Sequence, residues 1–274
     1  MGAVVLVTGA SAGIGRACAR RLAGAGWTVV GASRRGSAEA GWTGLVMDVD
    51  DEVSVRTGVA EVLERHGRID AVVASAGWGL AGAMEQTPID QAVAQLDTNF
   101  FGACRLVQAA LPALRRHGGR IVLVSSIGGV VAIPFPAYFC ASKFALEGLA
   151  EALGYEVRPF GVTVTLVQPG NVRTDFTANR RTVDGDGDGA GPGPGGDDPY
   201  RRAREKAVAV MERDEADGVD PDAVAAVVRK VLEARRPPRR VSVGKAGERV
   251  GIVAKRLLPQ RVFEAAAKGA LGVD

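Results

Sequence analysis

The chain contains few of the residues that bind metals or form disulfides, with two histidines and three cysteines among 274 residues. Cys18, Cys104 and Cys140 are an odd number, and their spacing fits no metal site. Because each lies in a stretch of helical periodicity, we expect buried thiols in a reducing cytosol. The Asp-Gly repeats of residues 181–199 lack the glutamate that closes an EF-hand loop, so neither calcium nor any other metal is predicted.

Long apolar runs and clusters of basic residues are also absent. The N-terminus passes directly into the strand-like sequence GAVVLVTG, so neither a targeting signal nor a membrane span is predicted. The formal net charge is +3 and the basic residues are spread along the chain, which excludes an electrostatic footprint for nucleic acid. With 47% hydrophobic and 24% charged residues, the composition indicates a soluble, cytoplasmic, folded protein.

Short apolar runs rich in β-branched residues alternate with longer stretches of helical periodicity. This alternation is typical of βαβ units with parallel strands, and the wholly apolar runs indicate helices on both faces of the sheet. The predicted fold class is α/β, a doubly wound parallel sheet in one domain over residues 1–274. Predicted strands are AVVLVT, TVVGAS, LVMDV, IDAVVAS, RIVLVSS, VTVTLVQ and RRVSVG, and predicted helices include those at about 13–25, 138–157, 200–213 and 221–234.

Two segments depart from this alternation. Residues 181–199 consist mainly of Gly, Asp and Pro, so we expect a flexible loop within a lid over the substrate. Residues 245–274 place apolar side chains at helical spacing among several lysines and arginines. We expect this C-terminal extension to be helical and to pack on the domain or on a second subunit, in preference to a membrane surface.

A glycine-rich turn, TGASAGIG, follows the first predicted strand and opens the first predicted helix. Its glycines allow a tight turn that brings backbone N–H groups close to a pyrophosphate. The sequence therefore predicts a Rossmann-type nucleotide site. The contacts are expected from Gly9, Ser11, Gly13, Ile14 and Gly15.

The end of the second predicted strand indicates which dinucleotide is bound. A protein that prefers NAD(H) carries an acid here for the ribose hydroxyls, whereas this chain has Ser33 and Arg34. The Arg34 guanidinium can pair with a 2′-phosphate in a bidentate manner, and Ser33 can add a hydroxyl donor. NADP(H) is therefore the expected cofactor.

The TGxxxGIG spacing and later motifs resemble the short-chain dehydrogenase/reductase family over nearly all of the first 175 residues. By this resemblance, Asp48 and Val49 contact adenine. The segment Ala74–Gly77 takes the place of the family's NNAG without its asparagines, and Ser75, Ala76 and Gly77 line the ribose. The PGxxxT segment holds the nicotinamide end through Pro169, Gly170, Val172 and Thr174.

The resemblance also implies an active site of Asn, Ser, Tyr and Lys. In this family Asn anchors a water relay, Ser orients the substrate oxygen, Tyr exchanges the proton, and Lys holds the nicotinamide ribose and lowers the phenol pKa. Asn99, Ser126 and Lys143 match three of these positions. Ser125 is the competing serine, but Ser126 is adjacent to the xGG that follows the family's active serine.

The fourth position is occupied by Phe139, which precedes Lys143 by four residues and follows Ser126 by thirteen. Tyr138 should face away from Lys143, because helical positions five apart are offset by about 140°. Only a π-bulge or an unwound first turn would bring Tyr138 round. Loss of a general acid typically slows a reaction by roughly 10² to 10⁴, so ordinary carbonyl reduction should be impaired.

Several functions are compatible with this pattern. The first is an NADP(H)-dependent carbonyl reductase or alcohol dehydrogenase whose catalytic tyrosine was replaced by design. The second has a natural Phe139 and a substrate, such as an iminium or a conjugated alkene, that needs no proton from that position. Non-redox cyclase or isomerase chemistry and a non-catalytic NADP(H) sensor remain alternatives.

Local similarity to family members that act on steroids and retinoids implies a lipophilic small-molecule substrate. Candidate pocket residues are Trp78, Val131, Ile133, Phe135 and Phe176. The family commonly pairs two long helices across a two-fold axis, here around 96–114 and 139–157. A homodimer or homotetramer is expected by this analogy.

Overall fold

The computed structural model describes residues 2–183 and 198–271, with side chains described through residue 265. Seven parallel strands form one sheet in the order β3-β2-β1-β4-β6-β7-β9, and a second pairing joins β5 to β8. The strands are β1 (Val4–Thr8), β2 (Thr28–Ser33), β3 (Thr43–Val46), β4 (Ala71–Ala74), β5 (Leu80–Ala81), β6 (Arg120–Val124), β7 (Thr163–Pro169), β8 (Arg181–Thr182) and β9 (Arg240–Val243).

Helices cover both faces of this sheet. They are α1 (Gly13–Ala23), α2 (Glu52–His66), α3 (Ile89–Leu96), α4 (Gly102–His117), α5 (Ala137–Glu156), α6 (Arg201–Ala216), α7 (Pro221–Glu233), α8 (Ala246–Leu257) and α9 (Gln260–Leu271). Helices α2, α4 and α5 pack on one face and α1 and α7 on the other, each against buried aliphatic side chains of the strands. The predicted doubly wound α/β fold in one domain is confirmed.

The order of the strands reverses between β1 and β4. The chain runs outward from β1 to β3, then returns to pair β4 with the other side of β1, from Val5 opposite Ala71 to Val7 opposite Val73. In open α/β sheets, ligands bind beyond the carboxyl ends of the strands at such a switch point. A ligand is therefore expected to bind among the loops after β1, β4, β6 and β7.

Some local predictions need correction. The C-terminal extension is two helices, because Pro259 cannot continue α8 and the chain turns at Leu258. The predicted loop 181–199 begins with strand β8, whose Arg181 lies opposite Leu80, while residues 184–197 lie outside the described ranges. Of the three thiols predicted to be buried, Cys18 and Cys140 are buried and Cys104 is half-buried. Burial raises the pKa of the Cys18 thiol to about 12.

No helix within the described residues is long and apolar enough to cross a membrane. Within the same ranges, no group of three or more His, Cys, Asp or Glu side chains is arranged to bind a metal ion.

Candidate functional site

The glycine turn after β1 is built by close backbone packing. Gly9 and Gly13 have φ of 69° and 51°, a region that favours glycine. A β-carbon at Gly9 would lie 3.0 Å from the main-chain nitrogen of Ala76, and one at Gly15 would overlap the carbonyl oxygen of Gly9. Side chains at these positions would collide with the neighbouring backbone, so the glycines allow the turn to pack against itself and against the chain after β4.

The first turn of α1 has backbone N–H groups without side-chain acceptors. Ala12 is the N-cap residue and supplies no side-chain hydrogen bond to the free N–H groups of the helix. The half-buried Ser11 and Ile14 flank this turn. The uncapped helix N-terminus and the glycine cradle fit an anionic pyrophosphate.

The end of β2 places Ser33 and Arg34 beside the turn. The Ser33 side chain is buried and its Oγ accepts from the N–H of Ser37 at 3.3 Å, which leaves the hydroxyl hydrogen able to donate. Arg34 is exposed. Burial raises the pKa of the Asp50 carboxyl, and the charge of Arg34 is one of the effects that oppose this shift.

The predicted adenine and ribose residues also lie at this edge. Asp48 Oδ1 accepts from the N–H of Asp50 at 3.1 Å, and Val49 is buried. Thr8 Oγ1 accepts from the N–H of Ser75 at 3.1 Å and from that of Ala76 at 3.4 Å, which ties the end of β1 to the end of β4. This Thr8 hydroxyl supports the segment that lacks the family's asparagines.

Asn99 is buried in a π-helical turn, Asp97–Phe101, between α3 and α4. Its carboxamide oxygen accepts from the N–H of Trp78, and its Nδ2 donates to the carbonyl of Trp78, both at 3.0 Å. Nδ2 also donates to Ser142 Oγ at 3.2 Å. The side chain therefore fixes the chain after Gly77 and connects it to α5.

The two serines after β6 differ in their surroundings. Ser125 is buried, and its Oγ has no hydrogen-bond partner among the described residues. Ser126 is half-buried; its Oγ accepts from the N–H of Gly128 at 3.0 Å and lies 3.5 Å from the carbonyl oxygen of Pro169. Of the two hydroxyls, that of Ser126 lies on the loop that faces Phe139.

Lys143 reaches the end of the sheet from α5. Its Nζ donates to the carbonyl of Val124 at 3.0 Å, and a β-carbon at Gly77 would lie 3.9 Å from that nitrogen. The side chain is 7% exposed, and burial lowers the pKa of the amine to about 8. A cation is therefore held at the centre of the edge where the cofactor is expected.

Phe139 lies beside this cation, with its ring centroid 5.8 Å from Lys143 Nζ. A β-carbon at Gly128 would be 3.3 Å from the same ring, which places Phe139 next to the Ser126 loop. Helix α5 is regular from Ala137, so no π-bulge rotates Tyr138 toward Lys143. The structure thus brings together Ser126, Phe139 and Lys143.

One aromatic side chain packs against Phe139, and other aromatic residues lie in the loops after β4 and β6. The Phe176 ring packs edge-on against Phe139 with centroids 5.7 Å apart, and Arg181 stacks 4.3 Å from the Trp78 ring. Phe135 has φ of 76°, unusual for a residue with a side chain, and its carbonyl accepts from the N–H of Gly82 at 3.0 Å. We call Trp78, Phe135, Phe139 and Phe176 the aromatic wall; Val131 and Ile133 are half-buried nearby in sequence.

The loop after β7 closes the site from the other side. Gly13 packs against Thr174, since a β-carbon at Gly13 would be 3.3 Å from Thr174 Cβ. Thr174 Oγ1 accepts from the N–H of Phe176 at 3.2 Å, and the buried Val172 pairs with Val219. We call residues 169–174, where the family resemblance places the nicotinamide end, the nicotinamide loop.

Two charged side chains near the site, Arg180 and Glu248, were not predicted from the sequence. Arg180 is 5% exposed and forms an ion pair with Glu215 of α6, and Glu248 of α8 hydrogen-bonds the nicotinamide loop. Neither belongs to a recognisable motif. Their partners, Glu215 and Asn171, lie far away along the chain, and a single sequence does not reveal such contacts.

The sequence matches the family described as short chain dehydrogenase over residues 3–184. The chain belongs to the short-chain dehydrogenases. It is an oxidoreductase of the family whose members bind nicotinamide cofactors.

Individual relatives agree with this assignment. The short-chain dehydrogenase is 36% identical over 267 residues to a 3-ketodihydrosphingosine reductase of Bacteroides thetaiotaomicron, covering 97% of this chain and 96% of that one. It is 40% identical over 195 residues to 17-beta-hydroxysteroid dehydrogenase type 1 of Homo sapiens, covering 63% and 58% of the two chains. A solved short-chain dehydrogenase from Streptomyces avermitilis matches with a TM-score of 0.81 and 31% identity over 98% of both chains.

Proposed function

We propose that this short-chain dehydrogenase is an NADP(H)-dependent oxidoreductase that reduces a carbonyl, imine or enone of a lipophilic small molecule, with Phe139 in place of the general acid. The observation that carries the proposal is the packing of the Phe139 ring between Lys143 and the Ser126 loop. This is where the family resemblance requires a phenol. Every other part of the catalytic arrangement is present.

The residues at the sheet edge would hold the cofactor. The glycine turn and the N-terminus of α1 would bind the pyrophosphate, Ser33 and Arg34 the 2′-phosphate, and Lys143 the nicotinamide ribose. When bound, the nicotinamide supplies or accepts a hydride. The preference for NADP(H) rests on the positive charge of Arg34 and on the absence of an acid at the end of β2.

The chain's own groups would orient the substrate without delivering a proton from position 139. The Ser126 hydroxyl can donate to a substrate oxygen or nitrogen, and the Lys143 ammonium raises the local positive potential. The hydrocarbon ring of Phe139 has no proton to transfer. An iminium, which already carries its charge, or an enone protonated elsewhere is therefore favoured over a simple ketone.

The aromatic wall supports a lipophilic substrate. The Phe139 and Phe176 rings are in contact beside Lys143, and binding pockets lined by apolar rings take up apolar ligands. The relatives named for 3-ketodihydrosphingosine and for a hydroxysteroid are consistent with such a substrate. Arg181, stacked on Trp78, would form part of the lid.

The proposed assembly is a homodimer or homotetramer through the long helices. Phe101, at the start of α4, and Phe144 of α5 are 49% and 43% exposed, and burial of such rings stabilises an interface. We place the protein in the cytoplasm, where its three free cysteines would remain reduced.

The test compares this chain with Phe139→Tyr in steady-state NADPH oxidation against ketones, enones and cyclic imines. We expect the wild-type chain to turn over imines or enones, and ketone activity to rise by roughly 10² to 10⁴ in the tyrosine variant. Ketone activity confined to the variant would identify a disabled reductase. Tight NADPH binding without turnover by either chain would contradict the proposal and favour a sensor.

A further inference from the structure

Glu248 lies far along the chain from the matched segment 3–184, yet it is bonded to the nicotinamide loop. Its Oε1 accepts from the main-chain N–H of Asn171 at 2.9 Å and from Asn171 Nδ2 at 2.7 Å. Its Oε2 accepts from the N–H of Lys245, the N-cap residue of α8, at 2.7 Å. One carboxylate thus joins the first turn of α8 to the turn that follows β7.

Two glycines make room for this carboxylate. A β-carbon at either Gly170 or Gly244 would overlap Glu248 Oε2. Neither glycine has a positive φ, so backbone conformation does not explain the choice of residue. The space they leave admits the Glu248 side chain to the backbone of the loop.

The neighbouring strands hold this arrangement in register. Strand β9 pairs with β7 up to Val243 opposite Pro169, and the N–H of Gly170 donates to the carbonyl of Val243 at 2.7 Å. Lys245 also forms an ion pair with Asp217, which follows α6. The start of α8 is therefore held by the pairing of β9 with β7 and by Asp217 as well, so Glu248 can act as a fixed acceptor for Asn171.

The bonded turn borders the reacting end of the proposed cofactor site and not its adenosine end. The carbonyl of Pro169 lies 3.5 Å from Ser126 Oγ, and Thr174 of the same loop packs on Gly13. Ser33 and Arg34, which would take the 2′-phosphate, follow β2 on the other side of β1. A displaced loop would therefore weaken binding of the nicotinamide half of the dinucleotide and leave binding of the adenosine half unchanged.

We propose that Glu248 is a positioning residue for the nicotinamide half of the cofactor, acting through its two hydrogen bonds to Asn171. The inference rests on the proposed function, because it assigns the loop to a bound nicotinamide. Charge-assisted bonds to a main-chain N–H hold a loop more strongly than neutral ones. Loss of the carboxylate frees the side chain and main-chain N–H of Asn171, while Gly170 and Arg173 stay bonded to Val243 and Val219. The loop is then less ordered, and ordering it around the nicotinamide weakens cofactor binding.

The experiment measures dissociation constants for NADPH and for 2′-phospho-ADP-ribose, which lacks the nicotinamide, by calorimetry on the full chain. NADH and ADP-ribose form a second pair.

Glu248→Ala is expected to weaken the affinity for NADPH about tenfold and to leave the affinity for 2′-phospho-ADP-ribose within about twofold of its original value. Glu248→Gln, which keeps Oε1 as an acceptor for Asn171, is expected to restore most of the affinity for NADPH. The matched control is Glu264→Ala, since Glu264 is exposed and accepts only from Gln260 among the described residues.

If Glu248→Ala lowered the affinity for both ligands of a pair equally, the inference would be overturned, because the variant would then have a general loss of structure. Unchanged affinity for both ligands in Glu248→Ala would overturn it as well, while wild-type binding of NADPH would leave the proposed function intact. Binding of NADH in preference to NADPH would contradict the proposed cofactor. The inference would then be tested on the second pair: Glu248→Ala should weaken NADH and leave ADP-ribose nearly unchanged, and equal effects on the two would overturn it. A wild-type chain that binds neither pair would overturn both proposals.

Discussion

The ammonium group of Lys143 donates to the carbonyl oxygen of Val124 at 3.0 Å on a side chain that is 7% exposed. Within the described residues no carboxylate pairs with it, and burial lowers the pKa of the amine to about 8. A buried cation without an acidic partner reduces the stability of the fold. The position is suited to binding a ligand that can use the charge.

Lys143→Met should change how stability depends on pH. The pKa of Lys143 falls from 10.5 in the unfolded chain to about 8 in the folded one, so the unfolded state binds more protons between these values. The wild-type free energy of unfolding should therefore rise with pH across this window, relative to Lys143→Met, by roughly 3 kcal/mol. Urea unfolding of both chains at pH 7, 8, 9 and 10 measures the difference. A difference that stays constant with pH would show that Lys143 titrates normally.

Arg34→Ala should alter the choice between cofactors. Loss of a bidentate partner for the 2′-phosphate should lower the ratio of NADPH to NADH affinity by about 10- to 100-fold. The effect should arise from weaker NADPH binding, with NADH nearly unchanged. Fluorescence titration with both nucleotides measures it, and Arg56→Ala on the exposed surface of α2 is the control. Equal loss of both affinities would argue that Arg34 does not read the 2′-phosphate.

Gly15→Ala should be strongly destabilising. Its new β-carbon would overlap the carbonyl oxygen of Gly9, so the turn after β1 must open. We expect a loss of about 2–3 kcal/mol together with loss of nucleotide binding. Gly148→Ala is the matched control, because Gly148 lies in α5 with open space around its Cα and should gain about 0.5–1 kcal/mol. If Gly15→Ala unfolds like the control in a urea titration, the described packing of the turn is wrong.

Glu215→Gln should destabilise the segment after β7. The Arg180 and Glu215 side chains are 5% and 14% exposed, and Thr177 also donates to this carboxylate. Removal of its charge leaves the Arg180 guanidinium buried and uncompensated, at a cost of roughly 3 kcal/mol. Glu233→Gln breaks an exposed pair with Arg229 and should cost less than about 0.5 kcal/mol. Similar unfolding midpoints in urea for the two variants would contradict the buried pair.

The fold could be predicted because it depends on local signals. Apolar runs bounded by glycine, and helical periodicity between them, determine strands and helices through interactions within a few residues. The turn from Gly9 to Gly15 was recognisable for the same reason, since its backbone requires glycine. Pro259 carried an equally local signal, and it divides the predicted helical extension into α8 and α9.

The remaining features of the candidate site depend on contacts between distant segments. The π-helical turn at Asn99 and the positive φ of Phe135 are backbone choices that the surrounding packing imposes on ordinary residues. The bond from Glu248 to Asn171 joins residues 77 positions apart. Sequence spacing placed Phe139 and Lys143 one helical turn apart, but the burial that lowers the pKa of Lys143 arises only when α5 packs on the sheet.

Strand β9 has a consequence for any shortened form of the protein. It completes the sheet beside β7, with Leu166 opposite Arg240 and Pro169 opposite Val243. A fragment that stops at residue 184 would leave β7 as an open edge, with a row of unpaired N–H and C=O groups on the β-branched strand TVTLVQ. Such an edge is a template for strand addition between molecules. A fragment limited to the residues that match the family would therefore self-associate. In the full chain, the last 90 residues supply β9 and so protect the edge of the sheet from aggregation.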